Sequence, residues 1–313
     1  MKKDIKICFM GSPLFGRNVL EKLIEEFNVV LVVTQPDSYT KGGKVVIEQP
    51  VKILAKDKNI PIFQPVNIKN DYSELLKYEF DFIITAAYGQ FIPQKVLDLP
   101  KIKVLNVHGS LLPKYRGGAP IQRAIENGDE YLGVSIMETV LKMDAGCIYH
   151  QSLVKLEDDD TLDTMMNKLS IKGAIDVCEV ITKLYESKDS IKGIPQDESL
   201  VTFSKNILKE EEYIDFRQPA VKVFNKIRSL NSNPIAKLKY NDKEYKVYSS
   251  KVVLDETNAL PGTILSNKKE LLIKCIDNAI SILSIQPPSK NVMDIKSFLN
   301  GYRNNFQINE IIK

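Results

Sequence analysis

The sequence predicts an α/β protein in two parts, a doubly wound and mostly parallel sheet followed by a small OB-like β-barrel. Three observations carry this reading. At 313 residues the chain is long enough for two domains that each bury a core. Its first half alternates β-like runs with helix-period segments, the pattern of a parallel sheet wrapped by helices. Its last third instead offers short strands separated by turn signals, as a small barrel does.

Residues 5–10 read as a buried strand that ends at Gly11-Ser12-Pro13 and yields to a helix-period segment through Leu20, Leu23 and Ile24. Gly11 supplies the turn out of that strand, Ser12 is placed to cap the helix, and Pro13 fits its first turn. The segment is neither a G-x-G-x-x-G fingerprint nor a lysine-bearing phosphate loop, so a dinucleotide site is not expected. Further strands are predicted at residues 29–34, 80–86 and 102–107, with helix-like stretches between them. Beyond Asp129 come β-rich segments at 132–137 and 148–153, and then a helix-period run over 161–185. Residues 187–206 are polar and broken by Gly193 and Pro195, which reads as a connection. The expected organisation is a catalytic domain at 1–189, a linker at 190–206 and a barrel at 207–313. Within the last part a helix is predicted at 220–229, with strands at 236–240, 245–253, 262–265, 271–276 and 279–285 and an Asn241-Asp242 turn between the first two.

Hydrophobic residues make up 43% and charged residues 27%, and nowhere do about 18 apolar residues run without a charge, so a membrane span is not expected. The N-terminal residues pass directly into the first strand with no secretory pattern, which points to a cytoplasmic protein. Cys8, Cys147, Cys178 and Cys275 lie far apart without a C-x-x-C pair, and His108 and His150 have no metal-ligand spacing with them. Neither a disulfide framework nor a metal is therefore predicted, and the cysteines read as small core residues. The net charge of +3 is unevenly spread, because residues 207–313 hold 17 Lys and Arg against 12 Asp and Glu. Such an excess suits a phosphate backbone.

Chemistry concentrates at Asn106-Val107-His108-Gly109-Ser110-Leu111-Leu112-Pro113, where a predicted parallel strand ends. Ligands of open α/β sheets bind outside the carboxyl ends of strands. Alternation along the strand places Asn106 and His108 on one side and Val107 on the other. Downstream, Met143-Asp144-Ala145-Gly146 supplies a carboxylate in a turn beside a glycine. An amide, an imidazole and a carboxylate suit attack of an amine on a formyl carbon. Negative charge builds on the formyl oxygen, which Asn106 and His108 can meet with donors. The intermediate must also lose a proton, which His108 can carry while Asp144 fixes its orientation.

These runs, together with Lys114-Tyr115-Arg116-Gly117-Gly118-Ala119-Pro120-Ile121-Gln122, resemble the 10-formyltetrahydrofolate-dependent formyltransferases. Thr34-Gln35-Pro36-Asp37, Phe63-Gln64-Pro65, Ala87-Tyr88-Gly89 and Ala119-Pro120-Ile121-Gln122-Arg123 are similar to the branch of that family whose acceptor is methionyl initiator tRNA. Leu260-Pro261-Gly262-Thr263-Ile264 and Phe298-Leu299-Asn300-Gly301 resemble its C-terminal barrel, so the likeness covers nearly the whole chain. The resemblance implies Asn106, His108 and Asp144 as the catalytic trio and Ser110, Leu111, Leu112, Pro113, Tyr88 and Gly89 as contacts of the folate co-substrate, with no metal. It also implies a tRNA-contacting loop at residues 38–44. There Gly42 stands where the family often has arginine, leaving Lys41 and Lys44 as the cations. A second departure is at residues 228–234, Arg-Ser-Leu-Asn-Ser-Asn-Pro, where the family commonly has an Asn-Pro-aromatic-Pro run. The strongest alternative is a sugar-nucleotide N-formyltransferase using the same donor, since it shares the catalytic strand and can carry a barrel. Nothing in the sequence requires more than a monomer.

Overall fold

The computed structural model describes residues 2–40, 45–187, 190–302 and 306–312. In chain order the elements are β1 (Lys6–Gly11), α1 (Leu14–Glu26), β2 (Asn28–Val33), β3 (Ser38–Tyr39), β4 (Val46–Ile47), α2 (Pro50–Asp57), β5 (Ile62–Phe63), β6 (Phe82–Ala86), α3 (Gln94–Leu97), β7 (Lys103–His108), α4 (Pro120–Asn127), β8 (Tyr131–Glu138), β9 (Ile148–Lys155), α5 (Leu162–Glu186), α6 (Ala220–Ser229), β10 (Ala236–Tyr240), β11 (Lys243–Val253), β12 (Ile264–Asn267), β13 (Leu271–Lys274), β14 (Ala279–Gln286), β15 (Met293–Asp294) and α7 (Ile295–Tyr302). They form two compact units. One comprises Met1–Pro120, Tyr131–Lys155 and Met166–Ser204, the other Ile121–Glu130, Leu156–Met165 and Lys205–Lys313. Residues 190–204 thus belong to the first unit.

The first unit is built on a seven-stranded sheet in the order β5-β2-β1-β6-β7-β8-β9. Strands β5 through β7 run parallel, and β8 and β9 continue the sheet antiparallel. All five residues of β6 are buried, as are Ile7, Cys8, Phe9 and Met10 of β1. A strand covered on both faces has no polar side, which is why these segments read as unbroken apolar runs. The six predicted strands of this unit are all present. The structure adds β3, β4 and β5, two-residue strands too short for periodicity to betray them.

Two glycines let α1 approach the ends of the central strands. A Cβ on Gly11 would lie 2.6 Å from the Ala86 carbonyl oxygen, and one on Gly16 would lie 2.8 Å from that same oxygen. Gly11 is therefore the last residue of β1, required by a close approach and not by a turn. Ser12 also differs from expectation: the cap position of α1 is taken by Pro13 without a side-chain bond. The Ser12 hydroxyl instead accepts from Thr34 Oγ1 (3.1 Å) and the Gln35 amide (2.9 Å), joining the ends of β1 and β2. On the other face, Gly173 of α5 admits Val107 and Val134, which its Cβ would meet at 2.6 and 2.9 Å. Val107 accordingly faces α5.

The second unit carries an antiparallel sheet in the order β10-β11-β14-β13-β12, with β15 added to β14. Its five main strands are those predicted, and register shifts between Val247 and Ser250 of β11 bend it as bulges do. Asn241 and Asp242, at φ 47° and 58°, make the tight β10–β11 turn that Asn and Asp tolerate. The sheet closes over Tyr245, Phe298 and Phe306, all buried, with ring centroids 5.1 to 6.1 Å apart. Truncating a ring so enclosed costs about 3–5 kcal/mol. The four cysteines are free; Cys8, Cys178 and Cys275 are buried and Cys147 is half-buried. No described helix is long and apolar enough to cross a membrane.

Candidate active site

β7 is the last of the parallel strands, and Asn106 and His108 stand two positions apart at its carboxyl end. Asn106 pairs across β6 with Thr85, whose hydroxyl donates to the Asn106 amide oxygen at 2.8 Å. That bond leaves the amide nitrogen as the end available to a ligand. His108 is buried, 6% exposed, and its Nε2 lies 3.0 Å from the Tyr115 carbonyl oxygen. A carbonyl can only accept, so Nε2 carries the proton. The other ring nitrogen, Nδ1, stands 3.9 Å from Asp144 Oδ2. This separation is too long for a hydrogen bond and short enough for electrostatic coupling.

Asp144 sits in a left-handed conformation, φ 49°, that non-glycine residues seldom adopt. Its Oδ2 accepts from the Gly117 amide at 2.8 Å, and its own carbonyl accepts from Gln196 Nε2 at 2.8 Å. Gly146 is indispensable to this turn, because a Cβ there would lie 1.9 Å from the Glu138 carbonyl oxygen.

The stretch after His108 is fixed by side chains of the antiparallel strands. Ser135 Oγ donates to the Ser110 carbonyl (2.6 Å) and accepts from the Leu112 amide (3.1 Å), while Gln151 Nε2 reaches the Leu112 carbonyl (2.9 Å). The Leu112–Pro113 peptide is cis. Ser110 and Leu112 are buried; Leu111 and Pro113 are half-exposed, and Leu111 lies against Gly133 of β8. With these main-chain groups occupied, the loop presents chiefly apolar surface, which suits a flat heterocycle.

Tyr88 and Gly89 follow β6, the strand beside β7. The Tyr88 ring lies in the core with Cys8, Met10, Leu31 and Ile92, and its hydroxyl is buried without a partner. Burial pushes its phenol above the ordinary value. Gly89, φ 80°, is exposed. Gln35 Nε2 donates to the Tyr88 carbonyl (2.9 Å), and Gln90 donates to Gln35 Oε1 (3.1 Å), so two glutamines brace this loop. A cleft of about 240 Å³ lined by Val66, Asn67, Lys69, Gln90 and Phe91 opens beside it. Lys41 and Lys44 lie outside the described residues. Among the described residues no group of three or more His, Cys, Asp or Glu is arranged to hold a metal.

The structure thus brings His108 together with Asp144, and sets Asn106 and residues 110–113 on the same strand end. Thr85, Ser135, Gln151, Arg116 and Gln196 were not singled out from the sequence. Each acts by a contact between distant segments that no local spacing announces.

Residues 5–181 match the family model described as formyl transferase, and residues 206–303 match the formyl transferase C-terminal domain. The methionyl-tRNA formyltransferase of Lactobacillus gasseri is 43% identical over 310 residues, covering 98% of each chain. That of Mesoplasma florum is 44% identical over 299 residues, covering 95% of each. Among solved structures, HypX of Aquifex aeolicus in complex with tetrahydrofolic acid superimposes with a TM-score of 0.64 at 19% identity. The chain spans 95% of its own length there and about half, 47%, of that longer chain, a likeness of fold.

Proposed function

This chain belongs to the formyl transferase family, and on that premise we propose that it moves the formyl group of 10-formyltetrahydrofolate to the amino group of methionyl initiator tRNA, giving the N-formylated product used to begin translation. The observation that carries the reading to chemistry is the pairing of His108 Nδ1 with Asp144 at the end of β7. The acceptor assignment rests on the relatives at about 43% identity over nearly the entire chain. The same reading assigns the activity to the cytoplasm, where translation begins.

The reaction joins the amine nitrogen to the formyl carbon and breaks the bond from that carbon to N10 of the folate. As the amine attacks, the formyl oxygen gains negative charge, and the Asn106 amide nitrogen is the donor placed to meet it. The attacking nitrogen must shed a proton and N10 must gain one. His108 Nδ1 is the basic nitrogen left open by the Tyr115 bond, so it accepts the first and returns it to the leaving nitrogen. Asp144 stabilises the imidazolium formed in between and aligns the ring. Leu111, Pro113 and the Tyr88–Gly89 loop are the surfaces on which the donor would lie, with Ser110 and Leu112 supporting them. Residues 207–313, with their basic excess, would supply phosphate contacts for the acceptor, and Lys41 and Lys44, which precede β4 in the sequence, would add two cations.

The test supplies 10-formyltetrahydrofolate with either methionyl initiator tRNA or an amino-sugar nucleotide and measures formyl incorporation. Transfer to the tRNA is expected. Brisk transfer to the sugar with none to the tRNA would overturn the acceptor.

A further inference from the structure

Arg116 is the largest fully buried side chain among the described residues, 0% exposed. Its Nε and Nη2 both donate to Gln196 Oε1, at 3.0 and 2.8 Å, and Nη2 also reaches Glu198 Oε1 at 2.9 Å. From its other end Gln196 donates through Nε2 to two main-chain carbonyls, Asp144 and Gly146, each at 2.8 Å. The chemistry of the two neighbours fixes this orientation. A guanidinium only donates and a carbonyl only accepts, so the bridge needs an acceptor at one end and two N–H groups at the other. A primary amide of glutamine's length supplies both.

Arg116 holds the turn a second way, since the amide of the next residue, Gly117, donates to the Asp144 carboxylate. Main chain and side chain of Asp144 are thereby clamped from one locus, at a residue whose φ of 49° needs outside support. The Arg116 backbone is in turn fixed, its amide donating to the Thr202 carbonyl (2.9 Å) and its carbonyl accepting from the Ser204 amide (2.7 Å).

We propose that Gln196 is a positioning residue for the transfer reaction, holding the Asp144 turn so that its carboxylate faces His108. This rests on the reading above that Asp144 works in catalysis. It assigns residues 190–204 a part in shaping the site.

The test compares Gln196→Glu, Gln196→Ala, Asp144→Asn and the Asp144→Asn/Gln196→Glu double variant in the full chain, reading kcat, KM for both substrates and Tm. Gln196→Glu keeps an acceptor for Arg116 and loses both donations to the turn. Turnover is expected to fall about tenfold to a hundredfold with KM nearly unchanged, as small misplacements of a catalytic group do. Gln196→Ala, which puts no charge near the carbonyls, is expected to fall likewise when assayed well below its Tm. The double variant should be no slower than Asp144→Asn alone, because both act through one group. Wild-type turnover in Gln196→Glu or in folded Gln196→Ala, or multiplied losses in the double variant, would overturn the positioning role while Asp144→Asn remained slow. Normal turnover in Asp144→Asn would instead remove the catalytic reading beneath it.

Discussion

The imidazole of His108 is held between two oxygens of different kinds, with Nε2 bonded to the Tyr115 carbonyl at 3.0 Å and Nδ1 facing the Asp144 carboxylate at 3.9 Å. The carbonyl dictates which nitrogen bears the proton. The wider gap on the other side leaves Nδ1 beyond hydrogen-bond reach of Asp144 while keeping it in the field of that carboxylate. Ser204 Oγ also donates to the Tyr115 carbonyl at 3.0 Å, so the oxygen that sets the tautomer is itself fixed.

Gly146→Ala should damage the site without touching a reacting atom. The new methyl would lie 1.9 Å from the Glu138 carbonyl oxygen and 2.8 Å from its carbon, and backbone cannot yield cheaply, so the Asp144 turn must move. Turnover is expected to fall at least about tenfold. Gly301→Ala, in α7 with nothing within 4 Å of the added carbon, is the control. It should leave turnover unchanged and Tm equal or slightly higher. Equal activity of both variants would contradict the account of the turn.

The Arg116–Glu198 pair predicts a signature in acid. Glu198 is held well below the usual carboxylate range, at about 2, chiefly by the Arg116 guanidinium and then by Lys142. Because the folded value is depressed, the stabilisation is whole above the ordinary value of 4.5 and is lost as pH falls through about 2. Thermal melts at low salt should therefore show Glu198→Gln less stable than wild type above pH 4.5, with the two curves converging towards pH 2. Parallel curves across that window would show the pair to be without effect. Salt should shrink the difference, since Glu198 is exposed.

The basic excess of residues 207–313 predicts a salt effect on RNA binding. Lys251, Lys268 and Lys269 are exposed there. Reversing all three should weaken tRNA affinity and lower the slope of log affinity against log salt by about one for each lysine that meets a phosphate. An unchanged slope would mean that these three lysines meet no phosphate.

Much of this was legible in the sequence, and unevenly. The apolar runs of β1 and β6 announce a sheet covered on both faces, and the Asn106-x-His108 alternation places two candidate side chains on one side of β7. Asp144 could be chosen from its glycine-bearing turn and from family resemblance; the clash that demands Gly146 is with Glu138, eight residues away in sequence. Ser12 was misread as a helix cap because its real partners, Thr34 and Gln35, follow the next strand. Gln196 was invisible for the same reason, as its contacts reach 80 residues back to Arg116 and 52 and 50 residues back to the Asp144 turn. Local patterns report periodicity and turns. Bonds between remote segments appear only once the chain is folded.

The most direct test is single-turnover formyl transfer from 10-formyltetrahydrofolate to methionyl initiator tRNA by wild type, His108→Ala and Asp144→Asn, with substrate affinities measured in parallel. Each variant should bind both substrates with near wild-type affinity and transfer at least about a hundredfold more slowly, as loss of a proton carrier or its charge partner does. Transfer at the wild-type rate by either variant would contradict the account.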